Sequence, residues 1–493
     1  MAKNVASNYF GFAVTTLVLL LLMPFLVRKL GSVGFGIWTL LNTLMAYCQL
    51  LELGIIPAVI RYVSSHHARD ERKEIESVVV SAAVLLGLIG LLTVPIIYLV
   101  ALFAPDLFDV EEANRELFVH GIWLIGLAGI LGYFRRMFQA VFEGFQRYVL
   151  LNLCAISSCL LAAAFTVYFV LKGGGVIALI WILIGQILFE VVLMLILMRR
   201  ALKLGLHPAR TSRESMRKIV SYSFFAFLMD AADTISYRID HVVIGIFLPL
   251  SEITFYTIAL RIATVLERVT APVIGTFFPL ASALHSSAKP ESLRQLFLEG
   301  TRVSVMIITP GMILGYAYGA DVIGWLVGAE YVARSGPVLY LLLGAVFLTV
   351  FEWTSVQILL GTGRMRFNAG VKLAAALSNL TLSLILVRNH GIVGVAIGTL
   401  IPIAVFSLFV TVPYTCALTK TSVLKGYIFI LGPGLLLTAI ALPLIFFTTS
   451  WMPNRFIGCV VHSALVLAIT AFLFWRVFEH AMKGREHEVE AGR

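Results

Sequence analysis

Apolar residues dominate the chain in long runs, separated by short clusters of Lys, Arg, Asp, Gly and Asn. About 20 apolar residues suffice to cross a bilayer core as a helix. On that measure spans are predicted near 9–30, 35–60, 78–104, 118–142, 149–171 and 176–198. After a basic loop they resume near 219–248, 253–282, 297–319, 336–360, 368–388, 392–417, 427–449 and 456–477. The chain therefore reads as all-α with about fourteen transmembrane helices. The first run, Tyr9 to Val27, follows Lys3 with no small-residue cleavage site and reads as an uncleaved span.

Composition supports this. Of 493 residues, 60% are hydrophobic and 13% charged, and the mean hydropathy is +0.95; soluble domains carry about 25% charged residues. The net charge of +10 does not form a nucleic-acid surface, because the basic residues sit mostly in short loops. With the N-terminus inside, roughly 23 Lys and Arg fall on the inner side against roughly 7 outside, so both termini are expected to be cytoplasmic. Cys48, Cys154, Cys159, Cys416 and Cys459 are scattered without CxxC spacing, which argues against disulfides and zinc. The largest loop, Arg199 to Lys218, has no room for a catalytic domain, so any chemistry lies between helices.

The chain also repeats. Glu143-Gly-Phe-Gln-Arg147 followed by Asn152 matches Leu360-Gly-Thr-Gly-Arg364 followed by Asn368. Gly175-Val-Ile-Ala-Leu-Ile180 likewise matches Gly391-Ile-Val-Gly-Val-Ala396. Six spans separate the copies, so they insert the same way up. The expected organisation is a six-helix lobe at 1–212, a second at 213–418, and two added helices with a tail at 419–493. Two such lobes around a cleft suit an alternating-access carrier.

Ionisable residues at mid-bilayer cost roughly 2.5–3.5 kcal/mol on insertion scales, so those inside spans need a reason. On span 7, Asp230, Asp233, Tyr237 and Asp240 fall within about 80° of one another, and Arg238 points elsewhere. On span 8, Arg261, Thr264 and Arg268 share a face. Counted from the turn near Pro249, Asp240 lies level with Arg261 and Asp233 with Arg268. These residues are either static pairs or a working site in which arginines hold an anion and a carboxylate binds a proton or sodium. Arg135 and Arg136 lie about 16 Å inside span 4; snorkelling to the inner head groups is the alternative to a cleft role. Glu52 is deep in span 2, Arg61 sits at its cytoplasmic mouth, and Arg28 and Lys29 at the outer end of span 1 suggest an anionic neighbour. Lys372 and Glu352 are candidate equivalents in the second lobe. His66 and His67 read as loop surface. Pro24, Pro57, Pro272, Pro279, Pro310, Pro402 and Pro413 are expected to permit bends.

Taken in order, Asn8-Tyr9-Phe10, Arg28-Lys-Leu-Gly31 with Gly34-Phe-Gly36, Leu53-Gly54 to Arg61, Glu143-Gly-Phe-Gln-Arg147, and Ile239-Asp240-His-Val-Val-Ile-Gly245 leading to Tyr256 and Ala259 carry a resemblance. Over nearly its whole length the chain resembles the polysaccharide-transporter branch of the MATE/MOP superfamily, the Wzx-type flippases of lipid-linked oligosaccharides. It departs from that pattern at Glu52, where the family often has Asp, and at Phe255, where a glycine commonly stands.

The resemblance implies transfer of an undecaprenyl-pyrophosphate-linked glycan, such as an O-antigen unit, from the inner to the outer leaflet of a bacterial plasma membrane. No cofactor is implied beyond a coupling H+ or Na+. The implied partners are membrane lipids and polysaccharide assembly proteins, with no nucleic acid. A diphosphate within the membrane calls for arginines, so Arg261, Arg268, Arg135, Arg136, Arg61 and Arg28 are the candidate substrate contacts. Asp240, Asp233, Asp230 and Glu52 are the candidate ion-coupling groups. A MATE-type drug antiporter shares the fold, but cationic substrates favour an acidic, aromatic cleft. A polytopic glycan polymerase or ligase usually needs a sizeable outer loop, and a major-facilitator carrier would carry a charged Gly-x-x-x-Asp/Arg loop between spans 2 and 3; neither feature is found.

Overall fold

The computed structural model describes Ala2 to Ala491 except Leu206, Pro208, Ala209 and Ala288; side chains are described outside 2–6, 224–226, 228–233, 235–237, Pro272 and 476–491. All the regular structure among these residues is helical. That is what a hydrocarbon environment demands of a chain that cannot leave backbone N–H and C=O groups unpaired. The chain divides into two compact units, Met1–Thr254 and Phe255–Arg493. The first holds α1 (Ala2–Leu50), α2 (Ile55–Ala68), α3 (Arg72–Leu107), α4 (Glu112–Gly144), α5 (Tyr148–Leu171), α6 (Val176–Leu197) and α7 (Arg213–Phe247). α8 (Leu250–Gly275) begins there and runs on into the second unit, which adds α9 (Phe277–Ser286), α10 (Pro290–Leu326), α11 (Val332–Gly361), α12 (Met365–Phe406), α13 (Val412–Leu418), α14 (Val423–Thr449) and α15 (Arg455–Ala491).

Ten helical stretches among the described residues are long and apolar enough to cross a membrane. Two of them, of 44 and 54 residues, are long enough to cross twice. Each is two helices joined at a glycine outside helical geometry, Gly31 (φ 72°) and Gly391 (φ 58°). α7 and α8 have the length to cross but carry the charges discussed above. The result is a polytopic, all-helical membrane protein.

Three spans differ from their expected course. Span 2, expected to run unbroken over 35–60, stops at Leu50 and restarts at Ile55. Span 8 is interrupted at Thr276, and the span that follows Gly391 passes through a π-helical turn at Ser407–Thr411. Pro413 lies inside the helix that continues from the π-helical turn, whereas Pro57 and Pro279 fall in the first turns of α2 and α9, where the missing N–H has no helical partner to lose. These two mark restarts. Pro24, Pro310 and Pro402 lie inside helices as expected.

The repeat reappears in the backbone. Gln146 and Gly363 are both left-handed (φ 54° and 77°), and so are Gly173 and Gly391, and Lys203 and Lys420. At the first pair the capping bonds coincide. Arg147 N–H donates to Phe142 O at 2.9 Å, and Arg364 N–H to Leu359 O at 2.8 Å, the six-residue closure of a helix C-terminus.

In the first unit, Ile56, Val59 and Val63 of α2 pack with Tyr133, Met137 and Val141 of α4 to form the main buried core. The buried Glu76 carboxylate accepts from Arg210 and from the Gly205 N–H, anchoring the basic loop to α3. In the second unit the two added helices are tied to α10. Buried His462 lies between Tyr318 and Thr448, and Arg455 forms an ion pair with Asp321 at 2.6 Å.

Gly36, one of the residues carrying the family resemblance, sits against the Leu250 carbonyl, so a Cβ there would collide with backbone that cannot swing aside. Gly36→Ala is expected to lower stability by about 1–3 kcal/mol. Gly87→Ala, in open space on α3, should be neutral or stabilising by up to about 1 kcal/mol. Melting of the two purified variants checks the contrast.

Candidate functional site

The site in the first unit is built on the interruption of span 2. Residues 51–54 form successive turns, with Glu52 N–H donating to Gln49 O at 3.2 Å and Leu53 N–H to Leu50 O at 3.1 Å. Leu53 (φ 52°) and Gly54 (φ 75°) are both left-handed. Glycine takes that conformation freely, whereas a leucine held there costs of order 1 kcal/mol or more. α4 grips the break from one face. Tyr133 donates its hydroxyl at 2.7 Å to the Cys48 carbonyl, which also accepts from the Leu51 N–H at 3.0 Å where α1 ends. One turn further on, Arg136 Nη1 lies 2.9 Å from Glu52 Oε1; the Glu52 side chain is 3% exposed and that of Arg136 33%.

Beside the break lies a polar cavity of about 190 Å³, whose lining includes Gln49, Glu52, Arg136, Thr234 and Arg238. Among the described residues, two guanidiniums and one carboxylate line this cavity, a set suited to an anion. Another cavity, of about 250 Å³ among Val305, Met312, Ile313, Phe347 and Leu431 in the second unit, has no charged side chain in its lining.

Arg135, next to Arg136 but on a different face of α4, reaches Glu190 of α6 at 3.4 Å. Ser158 donates to Glu190 Oε1 at 2.5 Å, and Gln186, one turn before Glu190, approaches the same oxygen at 3.4 Å. Each of the two adjacent arginines therefore has its own buried acid inside the helical bundle.

The remaining candidates are dispersed. Arg61 is exposed and lies over the Tyr222 ring at 4.6 Å, joining α2 to α7. Arg28 is exposed just before the kink at Gly31. Asp240 is buried on α7, whereas the side chains of Asp230 and Asp233 lie outside the described residues. In the second unit Arg261 is half-buried and Arg268 exposed on α8. There too Glu352 of α11 is met by Ser407 and Thr411 of the π-helical turn, with Lys372 of α12 close by. His66 and His67, expected in a loop, form the last turn of α2, where the His66 side chain is 15% exposed and pairs with Glu71 at 2.6 Å.

Two residues of the site do not emerge from the sequence argument. Arg238, which the helical wheel sets apart from the acidic stripe, lines the cavity. Glu190 is an ionisable residue alone in an apolar run, a signal in its own right.

The arrangement generates a stability prediction. Glu190→Ala leaves the Arg135 guanidinium without its acid and should destabilise the protein by about 3 kcal/mol, the lower end for a broken buried pair because Arg135 is 26% exposed. The double variant Arg135→Ala/Glu190→Ala should recover part of that loss. Unfolding of the four proteins in the cycle measures the coupling.

Comparison with known proteins follows the same lines. The family model described as "Polysaccharide biosynthesis protein" matches residues 1–285. A putative O-antigen transporter of Shigella flexneri is 22% identical over 425 residues, covering 84% of this chain and 97% of the relative. A probable flippase, AglR, of Haloferax volcanii is 24% identical over 425 residues, covering 83% of each. Among solved structures, the lipid II flippase MurJ in an inward closed conformation superposes with a TM-score of 0.71 at 14% identity, over 97% of this chain and all of that one. An inward-facing MATE-family multidrug transporter gives 0.70 at 14% identity, over 84% of this chain and 96% of that one. At such identity the structural likeness establishes the fold alone.

Proposed function

The chain belongs to the polysaccharide biosynthesis protein family and is a transporter, not an enzyme; on that premise we propose that it flips an undecaprenyl-pyrophosphate-linked oligosaccharide from the cytoplasmic to the outer leaflet of the bacterial plasma membrane. The observation that carries this reading is the cavity at the break in span 2, where Arg136 and Arg238 line a polar space inside an otherwise apolar bundle. A diphosphate offers several anionic oxygens in a geometry that guanidinium forks match with charge-assisted hydrogen bonds. The glycan needs a wet, polar path, and the polyprenyl tail can remain in lipid. Arg135 is held by Glu190 on another face of α4, and Arg261 and Arg268 supply cationic side chains in the second unit. The relatives named as an O-antigen transporter and as flippases support the same substrate class.

A cation antiporter of the MATE type is the second reading, supported by the shared fold. Two arginines lining the cavity disfavour it, because an organic cation would face like charge. Directed cycling calls for an ion gradient, and the buried carboxylates Asp240 and Glu52 are the described groups placed to take up a proton or sodium ion, with Asp230 and Asp233 as further candidates.

Reconstituted with a fluorescent lipid-linked oligosaccharide, the wild type should move lipid across the vesicle bilayer. Arg136→Ala should slow that movement about tenfold to a hundredfold, the equivalent of one charge-assisted hydrogen bond. An inert wild type, or an Arg136→Ala variant at full rate, overturns the assignment. For coupling, Asp240→Asn should flatten the dependence of transport on pH or sodium; an unaltered dependence removes Asp240 from the mechanism.

A further inference from the structure

We infer that Glu52 is a resident counter-anion of the substrate site: it occupies Arg136 while the site is empty, and an arriving diphosphate displaces it and thereby releases the break in span 2. The inference rests on the reading of this cavity as a diphosphate site and adds how occupancy reaches the helices. Glu52 and Arg136 line the same cavity, and their contact is a direct 2.9 Å pair. A carboxylate offers the guanidinium one negative charge, whereas a diphosphate offers more charge and more acceptor oxygens. Arg238, lining the same space, adds attraction for the ligand. The competition therefore runs in favour of the phosphate groups.

Displacement has a mechanical consequence because of where Glu52 stands in the chain. It belongs to the four residues between α1 and α2 that are not helical, and the next two residues are left-handed. A leucine in that conformation persists only where its surroundings hold it there. Arg136–Glu52 and Tyr133–Cys48 are two holds that α4 places on the break. Once a ligand takes Arg136, the carboxylate of a residue that is 2% exposed is left in the bundle without that cation, which is strongly unfavourable. The carboxylate then moves away from Arg136, and the turn at 51–54 is the segment able to rearrange with it. Leu53, 44% exposed, is the natural reporter of that movement. Glu52 is thus a positioning residue, acting through Arg136 and the backbone.

The test uses full-length purified protein and inorganic pyrophosphate as the probe. Glu52→Gln, which keeps the shape and removes the charge, should bind pyrophosphate at least fivefold more tightly than wild type by calorimetry, while Glu52→Asp stays close to wild type. In a Leu53→Cys background, pyrophosphate should change the alkylation rate of the introduced thiol, read by mass spectrometry of its peptide, several-fold. Adding Glu52→Gln should give the ligand-bound rate without ligand, and adding Arg136→Gln should abolish the response. Binding by Glu52→Gln alone, with wild type below detection, also supports the inference. If wild type flips the lipid-linked substrate and Glu52→Gln, folded by its melting curve, binds pyrophosphate no more tightly, the inference fails and the transport reading stands. An alkylation rate in the Leu53→Cys protein that bound pyrophosphate does not alter has the same meaning. Binding by neither protein overturns both.

Discussion

A charge inside this bundle is tolerable only if the bundle itself supplies its partner, and that constraint shapes the first unit. Arg135 and Arg136 are adjacent on α4, so their side chains leave the helix about 100° apart and cannot share an acid. Glu190 on α6 answers one, and Glu52 at the end of α1 answers the other. These two pairs bind two separate stretches of chain to one turn of α4. Their value for stability alone is modest, because desolvation offsets much of the attraction, and an apolar substitution of the whole pair would serve as well.

The helix breaks obey a second constraint. Irregular backbone at membrane depth survives where protein or a wet cavity takes up the freed polar groups. The interruption at 51–54 meets that condition twice, through the Tyr133 hydroxyl on the Cys48 carbonyl and through the cavity beside Glu52. In the second unit the π-helical turn at Ser407–Thr411 brings two hydroxyls to Glu352. π-turns are frequent at functional sites because the extra residue re-aims side chains that a regular helix would bury elsewhere. In both units an irregular turn therefore accompanies an intramembrane carboxylate.

Much of this is readable from the sequence, and the remainder is not for definite reasons. The spans follow from hydropathy, since lipid admits hardly anything but helices. The repeat follows from Glu143-Gly-Phe-Gln-Arg147 and Leu360-Gly-Thr-Gly-Arg364 because both encode the same helix-closing turn, with Gln146 and Gly363 left-handed. The importance of Arg136 and Glu52 follows from their depth. Their partnership does not: it is set by how α4 packs against the end of α1, and helical wheels carry no information about that rotation. The break in span 2 left a trace in Leu53-Gly54 and Pro57, a glycine followed by a proline three residues on, but the surrounding apolar run masks it. Glu190 required no geometry at all, only the recognition that one acid in an apolar helix needs a partner.

The repeat also makes the charge distribution informative. Two lobes descended from one pattern share closing turns, glycine kinks and left-handed positions, yet the side chains at corresponding depths have not been kept alike. Where α4 carries Arg135, α11 carries Glu352, each about three turns before the matched Arg147 and Arg364; Arg135 faces a carboxylate, whereas Glu352 has a lysine nearby. A scaffold needed only for stability would gain nothing from such an exchange of sign, since each buried charge brings its own desolvation penalty. A carrier that must attract an anion in one part of its path and release it in another does require unlike sites on like scaffolds. The fold is thus the duplicated element, and function resides in the few ionisable positions at which the two copies differ.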